Sequence, residues 1–315
     1  MSEGEFDLIA RIRRRAATRS DVLLGIGDDC ALLAPPPGML LAVTTDTLNA
    51  GVHFPADTAP VNLGWKALAV NLSDLAAMGA QPAWCTLALS LPQADPVWLD
   101  AFCDGFLALA QDHGVALVGG DTTRGPLAVM LTAHGFVPPG AALRRDGAGV
   151  GDEVWVSGTL GDAAGALAQW RAGRAIAPAL RARLDRPTPR VALGLALRGI
   201  ASSCIDISDG LLADLAHIAR ASGVAAELEA DALPASPALQ AAFADGERRV
   251  LQATGGDDYE LCFTAPAAQR AAVQALGARL GLPLARIGRI VAGRGVHCAG
   301  LEGLGPLAPG YQHFA

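Results

Sequence analysis

Ser203-Cys204-Ile205-Asp206-Ile207-Ser208-Asp209-Gly210-Leu211 reads as a strand running straight into a helix. The apolar run Ser203 to Ile207 is short and bounded by turn residues, as a buried strand is. Ser208 and Asp209 then suit a helix start, because their oxygens satisfy orphan amides and the helix dipole favours negative charge there. A strand that feeds a helix in this way is the unit of α/β architecture. The chain repeats the device, placing acidic residues among Gly, Ser, Thr and Asn at the ends of apolar runs or at helix starts. The other cases are Gly27-Asp28-Asp29, Thr44-Thr45-Asp46-Thr47, Asn71-Leu72-Ser73-Asp74, Gly119-Gly120-Asp121-Thr122-Thr123 and Gly255-Gly256-Asp257-Asp258-Tyr259-Glu260.

Working outward from these motifs, Phe6 to Ile12 predicts a short amphipathic helix, and Leu40 to Val43 a strand that ends at Thr44-Thr45-Asp46. The 3.6-residue periodicity of Leu63 to Met78 predicts a helix that displays Asp74 one turn after Asn71 and stops at Gly79. Thr86 to Leu91, Val115 to Val118 and Leu127 to Val137 read as strands, with a helix over Pro96 to His113 between the first two. Pro138-Pro139-Gly140, followed by Gly147, Gly149 and Gly151, is the best linker, dividing the chain into domains over 1–138 and 149–315. Beyond it, strands at Glu153 to Ser157, Ser203 to Ile207, Ala225 to Leu228, Glu260 to Phe263 and Ala285 to Val291 alternate with helices at Asp162 to Ala172, Pro189 to Arg198, Gly210 to Ala221 and Ala267 to Leu280. The class is α/β or α+β, without a sequence repeat.

Convergence of the acidic motifs would require cations. Two carboxylates about 4 Å apart repel by roughly 4 kcal/mol at an effective dielectric near 20. Organic cations are scarce: of the 24 Lys plus Arg only Lys66 is a lysine, and it lies in an apolar helical stretch. Magnesium binds oxygen ligands, keeps several waters and bridges carboxylates to phosphates. The composition therefore points to magnesium and phosphate chemistry.

At 315 residues, 51% hydrophobic and 17% charged, the chain has material for two packed domains and is not of disordered composition. No apolar run reaches the length of about 18 to 20 residues that spans a bilayer. Glu3, Glu5 and Asp7 stand where a signal peptide needs positive charge, so a cytoplasmic protein is expected. A net charge of −7 without a basic stripe argues against a nucleic-acid partner. The six cysteines form no C-x-x-C pair, and buried reduced thiols are the expectation.

Individual motifs leave alternatives open. Either Asp28 or Asp29 can ligate while the other caps. Gly119-Gly120-Asp121 is either a tight turn or a backbone cradle for phosphate. No Walker motif exists, since the single lysine is not in one, and no kinase H-R-D or D-F-G set occurs. His53 is equally a ligand or a structural histidine, Arg144 and Arg145 either clamp a phosphate or are solvated, and Tyr311 by itself suggests no more than a docked tail.

These motifs resemble the thiamine-monophosphate kinase family of the aminoimidazole ribonucleotide synthetase-like superfamily. The resemblance runs nearly end to end, through Gly4-Glu5-Phe6, Gly25 to Leu33, Thr45 to Leu48, His53-Phe54, Asn71 to Ala80, Gly119 to Pro126, Asp206 to Leu211, Gly255 to Leu261 and Gly310 to Phe314. It implies direct transfer of the ATP γ-phosphate to thiamine monophosphate. It further implies several magnesium ions held by Asp29, Thr44, Thr45, Asp46, Asp74, Asp121, Asp206 and Asp209. ATP would meet Gly120, Asp121, Arg145 and Ser208, and thiamine monophosphate would meet His53, Asp257 and Tyr311. Asp257 stands where the family usually has Glu, one methylene longer. No dedicated general base is expected, because a phosphate oxygen attacks already ionised.

The implied fold is a two-domain aminoimidazole ribonucleotide synthetase-like α/β fold. Its N-terminal mixed sheet pairs with that of a second subunit into a barrel-like homodimer core, to which Val43, Leu87, Leu89, Val129 and Leu131 are suited. The rivals are another ATP-using member of the superfamily and a non-catalytic magnesium or nucleotide-binding regulator. Against the first, the chain has no reactive Cys beside a Lys near its N-terminus and ends Gln312-His313-Phe314-Ala315. Against the second, all the acidic motifs are retained.

Overall fold

The computed structural model describes residues 4–302 and Gly310, in two compact units. The first takes the chain to Leu75 together with Ala80–Gly140, and the second takes Ala76–Gly79 and the chain from Ala141.

The first unit opens with helix α1 (Glu5–Arg15), where the Asp7 carboxylate accepts the Gly4 N–H. A small hairpin of β1 (Val22–Leu24) and β2 (Leu32–Leu33) follows. Then come β3 (Leu40–Asn49), α2 (Pro60–Ala77), β4 (Gln81–Leu91), α3 (Pro96–Asp112), β5 (Ala116–Arg124) and β6 (Ala128–Val137). Asp95 caps α3 by accepting the Val97 and Trp98 N–H groups, and Pro96 takes the position where a missing N–H costs nothing. The sheet order is β3-β6-β4-β5, antiparallel except for the β4–β5 pair.

Strand periodicity sorts this sheet into two faces. Thr44, Asp46 and Leu48 stand in rows with Ala133, Leu131 and Val129, and those continue to Cys85, Leu87 and Leu89. That face carries the unit's buried aliphatic side chains. Leu41, Val43, Thr45 and Thr47 take the other face, where Leu41 is 50% exposed and Val43 55%. The apolar residues expected to suit this sheet all lie in it, on different faces: Leu87, Leu89, Val129 and Leu131 are buried, and Val43 is exposed.

The second unit contains β7 (Glu153–Ser157), α4 (Asp162–Arg171), α5 (Pro178–Asp185), α6 (Val191–Ala196), β8 (Ser203–Asp206), α7 (Leu211–Ser222), β9 (Ala225–Glu229), α8 (Pro237–Ala242), α9 (Asp245–Thr254), β10 (Leu261–Ala265), α10 (Arg270–Leu280), β11 (Leu284–Val291) and β12 (Gly295–Ala299). The sheet order is β12-β9-β11-β7-β10-β8, with only the edge pair β12–β9 parallel. Strands β7, β8 and β10 are buried along their whole length. That accounts for their continuous rather than alternating apolar character. Gly223 ends α7 at φ 68°, a left-handed conformation favourable to glycine.

Several boundaries differ from the sequence expectation. Thr44-Thr45-Asp46-Thr47 lies inside β3, and Gly119-Gly120-Asp121 inside β5, because both strands continue through their motifs by pairing with a neighbour. Tertiary pairing overrides the turn signal of the small residues. Helices α5, α8 and α9 and strand β12 were not expected. The helices are at most ten residues long, and β12 is an edge strand carrying Gly295 and His297. Among the cysteines, Cys30 is exposed while the other five are buried, so the expectation of buried thiols fails at Cys30.

Candidate active site

In the first unit β3 and α2 bring Thr44, Asp46 and Asp74 together. The Thr44 hydroxyl donates to Asp74 Oδ2. Asp46 shares its row with Leu131 and Leu87, and burial first, then the nearby Asp74 charge, push its carboxyl up to about 7. Thr45 lies on the opposite face, its hydroxyl hydrogen-bonded to Thr132 at 2.8 Å. Asp121 is exposed, in the row of Ala88, Met130 and Thr47, and by register it also lies on the face away from Asp46. Asp28 and Asp29 are exposed, with Asp28 Oδ1 accepting the Asp29 N–H at 2.9 Å.

Gly120 has φ 149°, and a Cβ there would stand 1.8 Å from the Leu87 carbonyl oxygen, so only glycine allows β5 this close to β4. A small hollow of about 50 Å³ lies beside it, lined by Ile9 and Ile12 of α1, Ile26, Leu87, Leu117 and Gly119–Thr122.

His53 accepts the Asn49 N–H on Nδ1 at 2.9 Å. That assigns the proton of the neutral ring to Nε2. Lys66, 1% exposed, donates to the His53 carbonyl at 3.2 Å.

In the second unit the Asp206–Gly210 and Gly255–Glu260 segments are hydrogen-bonded to each other. Asp257 N–H donates to the Ser208 carbonyl at 2.9 Å, Tyr259 N–H to Ile207 at 2.8 Å, and Ile207 N–H to Glu260 at 2.8 Å. A Cβ on Gly256 would lie 2.4 Å from the Ser208 carbonyl oxygen, so the glycine permits the close approach. Asp206, Ser208, Asp209 and Asp257 are thereby placed in one neighbourhood. Arg145 is exposed, and its carbonyl accepts the Ser222 hydroxyl at 2.9 Å. His217 on α7 feels both it and Asp209: burial, then Arg145 and Arg220, lower its pKa, and Asp209 acts the other way. Tyr311 lies outside the described residues.

Sequence reasoning missed Asp214. Its buried carboxylate accepts the N–H groups of Ser208, Asp209 and Gly210 at 3.0, 3.0 and 3.1 Å. Burial pushes it up to about 7 against the pull of those amides. An acidic residue in the first turn after Gly210 was the available signal, since such a side chain reaches back to the amides at the helix entry. Among the described residues no group of three or more His, Cys, Asp or Glu side chains is poised to hold a metal ion. The donor set at Asp46 and Asp74 is nonetheless all oxygen, with two carboxylates whose repulsion a hard cation relieves, and magnesium needs only one or two carboxylates beside its waters.

Residues 27–137 match the family described as AIR synthase related protein, N-terminal domain, and 149–299 match AIR synthase related protein, C-terminal domain. The fold is that of this class of two-domain α/β proteins. Over 330 aligned residues, covering 100% of this chain and 99% of the relative, the chain is 48% identical to a thiamine-monophosphate kinase of Salmonella typhimurium. A crystal structure of thiamine-monophosphate kinase from Stenotrophomonas maltophilia is 60% identical with a TM-score of 0.89, covering 95% of this chain and 98% of that one. AaThiL complexed with AMPPCP and TMP is 33% identical with a TM-score of 0.78, covering 99% and 97%. The chain belongs to the thiamine-monophosphate kinase family.

Proposed function

We propose that the chain transfers the γ-phosphate of ATP to the phosphate of thiamine monophosphate, yielding thiamine diphosphate and ADP. The observation that carries this reading is the full-length identity to thiamine-monophosphate kinases, supported by a relative complexed with AMPPCP and TMP. The chemistry agrees with it. The attacking phosphate oxygen is ionised near neutral pH, so the protein has to hold two anions in line rather than remove a proton.

The division of labour follows the chain, with 1–138 as the metal, ATP and dimerisation part and 149–315 as the second domain. In the first, Asp29, Thr44, Thr45, Asp46, Asp74 and Asp121 would hold magnesium, and in the second Asp206 and Asp209 would. Bound magnesium neutralises charge on the phosphates and orients them. Thr45, whose hydroxyl faces Thr132, has only its backbone to offer on the side of Asp46. Gly120, Asp121, Arg145 and Ser208 would contact ATP. Asp214 occupies the Ser208 N–H, so Ser208 meets the nucleotide through its hydroxyl. His53 would contact thiamine monophosphate, joined by Asp257 and Tyr311.

The protein acts as a homodimer. The support is the outward sheet face, where Leu41, Val43 and Met130 are 50%, 55% and 45% exposed, an apolar patch of the kind that marks an interface. We place it in the cytoplasm, where its free thiols stay reduced. No helix among the described residues is long and apolar enough to cross a membrane. The test is incubation of purified protein with ATP, magnesium and thiamine monophosphate, with thiamine diphosphate measured. Thiamine diphosphate no higher than in a protein-free control would refute the reading.

A further inference from the structure

Beneath the Gly255–Glu260 segment lies a buried ionic group that the phosphate chemistry does not use. Glu260 is fully buried, and its carboxylate accepts from Arg183 Nη2 at 2.8 Å, from Arg190 Nε at 2.6 Å and from Ser157 Oγ at 2.5 Å. Asp258, also buried, receives the Gly161 N–H on both carboxylate oxygens, at 3.0 and 2.8 Å. Between and beside these two fixed carboxylates the backbone turns left-handed, at Asp257 with φ 68° and at Tyr259 with φ 50°. Asp tolerates that region, whereas a bulky Tyr does not adopt it unless its surroundings impose it.

The two arginines differ in what they hold. The contacts of Arg190 here are to the Glu260 carboxylate, and Arg183, from α5, reaches further, its Nη2 also donating to the Asp258 main-chain carbonyl at 3.3 Å. That carbonyl belongs to the residue between the two left-handed positions. A planar guanidinium can serve a carboxylate and a neighbouring carbonyl at once, which an ammonium on a flexible stem does poorly.

We infer that Arg183 is a positioning residue for the organic acceptor: by holding the Glu260 carboxylate and the Asp258 carbonyl together, it fixes the left-handed turn at Asp257 and Tyr259 and so sets where Asp257 meets the substrate. The inference rests on the reading of Asp257 as a thiamine monophosphate contact. It gives α5 a role in acceptor affinity rather than in the metal or nucleotide sites.

The test is steady-state kinetics of the full chain with Arg183→Lys and Arg190→Lys, each checked for folding by thermal melting. Arg183→Lys is expected to raise the KM for thiamine monophosphate at least fivefold, leaving the KM for ATP and kcat within twofold. Arg190→Lys is expected to leave the KM for thiamine monophosphate within twofold. If Arg183→Lys does not fold, Arg183→Gln, which leaves the Arg190–Glu260 pair intact, replaces it, with the same rise expected. An unchanged KM for thiamine monophosphate in a folded Arg183 variant overturns the inference, and so does an equal rise in the KM for ATP. A wild-type chain that makes no thiamine diphosphate overturns the underlying reading instead, and does so before any variant is measured.

Discussion

The Asn49 main-chain N–H donates to His53 Nδ1, and this one contact at 2.9 Å decides how the histidine can act. With Nδ1 used as an acceptor, the neutral ring carries its proton on Nε2. His53→Asn keeps an acceptor near Asn49 but loses the reach of Nε2, and His53→Gln does the reverse. We expect His53→Asn to retain its Tm and lose about tenfold or more in kcat/KM for thiamine monophosphate, in line with about 1.5–3 kcal/mol for a hydrogen bond to a charged group. His53→Gln should lose less. Nitrogen NMR of the imidazole should report the Nε2–H tautomer in the free protein.

Asp46 sits among aliphatic side chains with Asp74 nearby, so without metal its charge is a burden on the fold. Asp46→Asn should raise the metal-free Tm at pH 8 while depressing turnover at least about tenfold, roughly 1.4 kcal/mol of transition-state stabilisation. Asp209→Asn should lower turnover by a similar factor. Thermal melts without magnesium, paired with turnover at saturating substrates, check both. Full activity in either variant removes that residue from the metal shell.

Asp214 closes three amides with one carboxylate. Asp214→Ala leaves them without that acceptor, at about 1–3 kcal/mol for each amide that water cannot reach. We expect a Tm lower by several degrees and reduced turnover, with Asp214→Asn, which retains an acceptor oxygen, recovering most of the Tm.

Gly120→Ala brings a methyl group onto the Leu87 carbonyl, in a backbone conformation that L side chains rarely adopt. The strand pair β4–β5 must separate there, which should cost at least about 2 kcal/mol of stability and raise the KM for ATP more than that for thiamine monophosphate. Melting and the two KM values test it.

Asp21 gives a pH signature. The Arg19 guanidinium, paired with it at 2.9 and 2.8 Å, and then the Trp84 indole N–H at 3.1 Å hold its carboxyl below the usual range. The native state therefore gives up this proton more readily than the unfolded chain. The contribution is present above the ordinary carboxylate pKa of about 3.9 and is lost as pH falls through the lower native value. Asp21→Asn should flatten the fall of Tm below about pH 4. Asp21→Ala, which strands the buried Trp84 N–H, should cost about 1–3 kcal/mol at pH 7.

Sequence alone determined the class of fold and the family, because both are carried by local patterns. Ser203 to Leu211 reads as strand into helix whatever surrounds it, and the Gly, Thr and Asp runs are recognisable as written. The tertiary structure decided which members of those runs act together. Period-two geometry in β3 put Thr44 and Asp46 on one face and Thr45 on the other, a split invisible in Thr-Thr-Asp-Thr until the strand was known to continue. It likewise separated Asp258 and Glu260, buried as supports, from Asp257 beside Ser208. Arg183 and Asp214 escaped notice for the same reason. Arg183 meets Glu260 across 77 positions of chain, and Asp214 matters only once the turn before it has closed, so neither pairing follows from spacing.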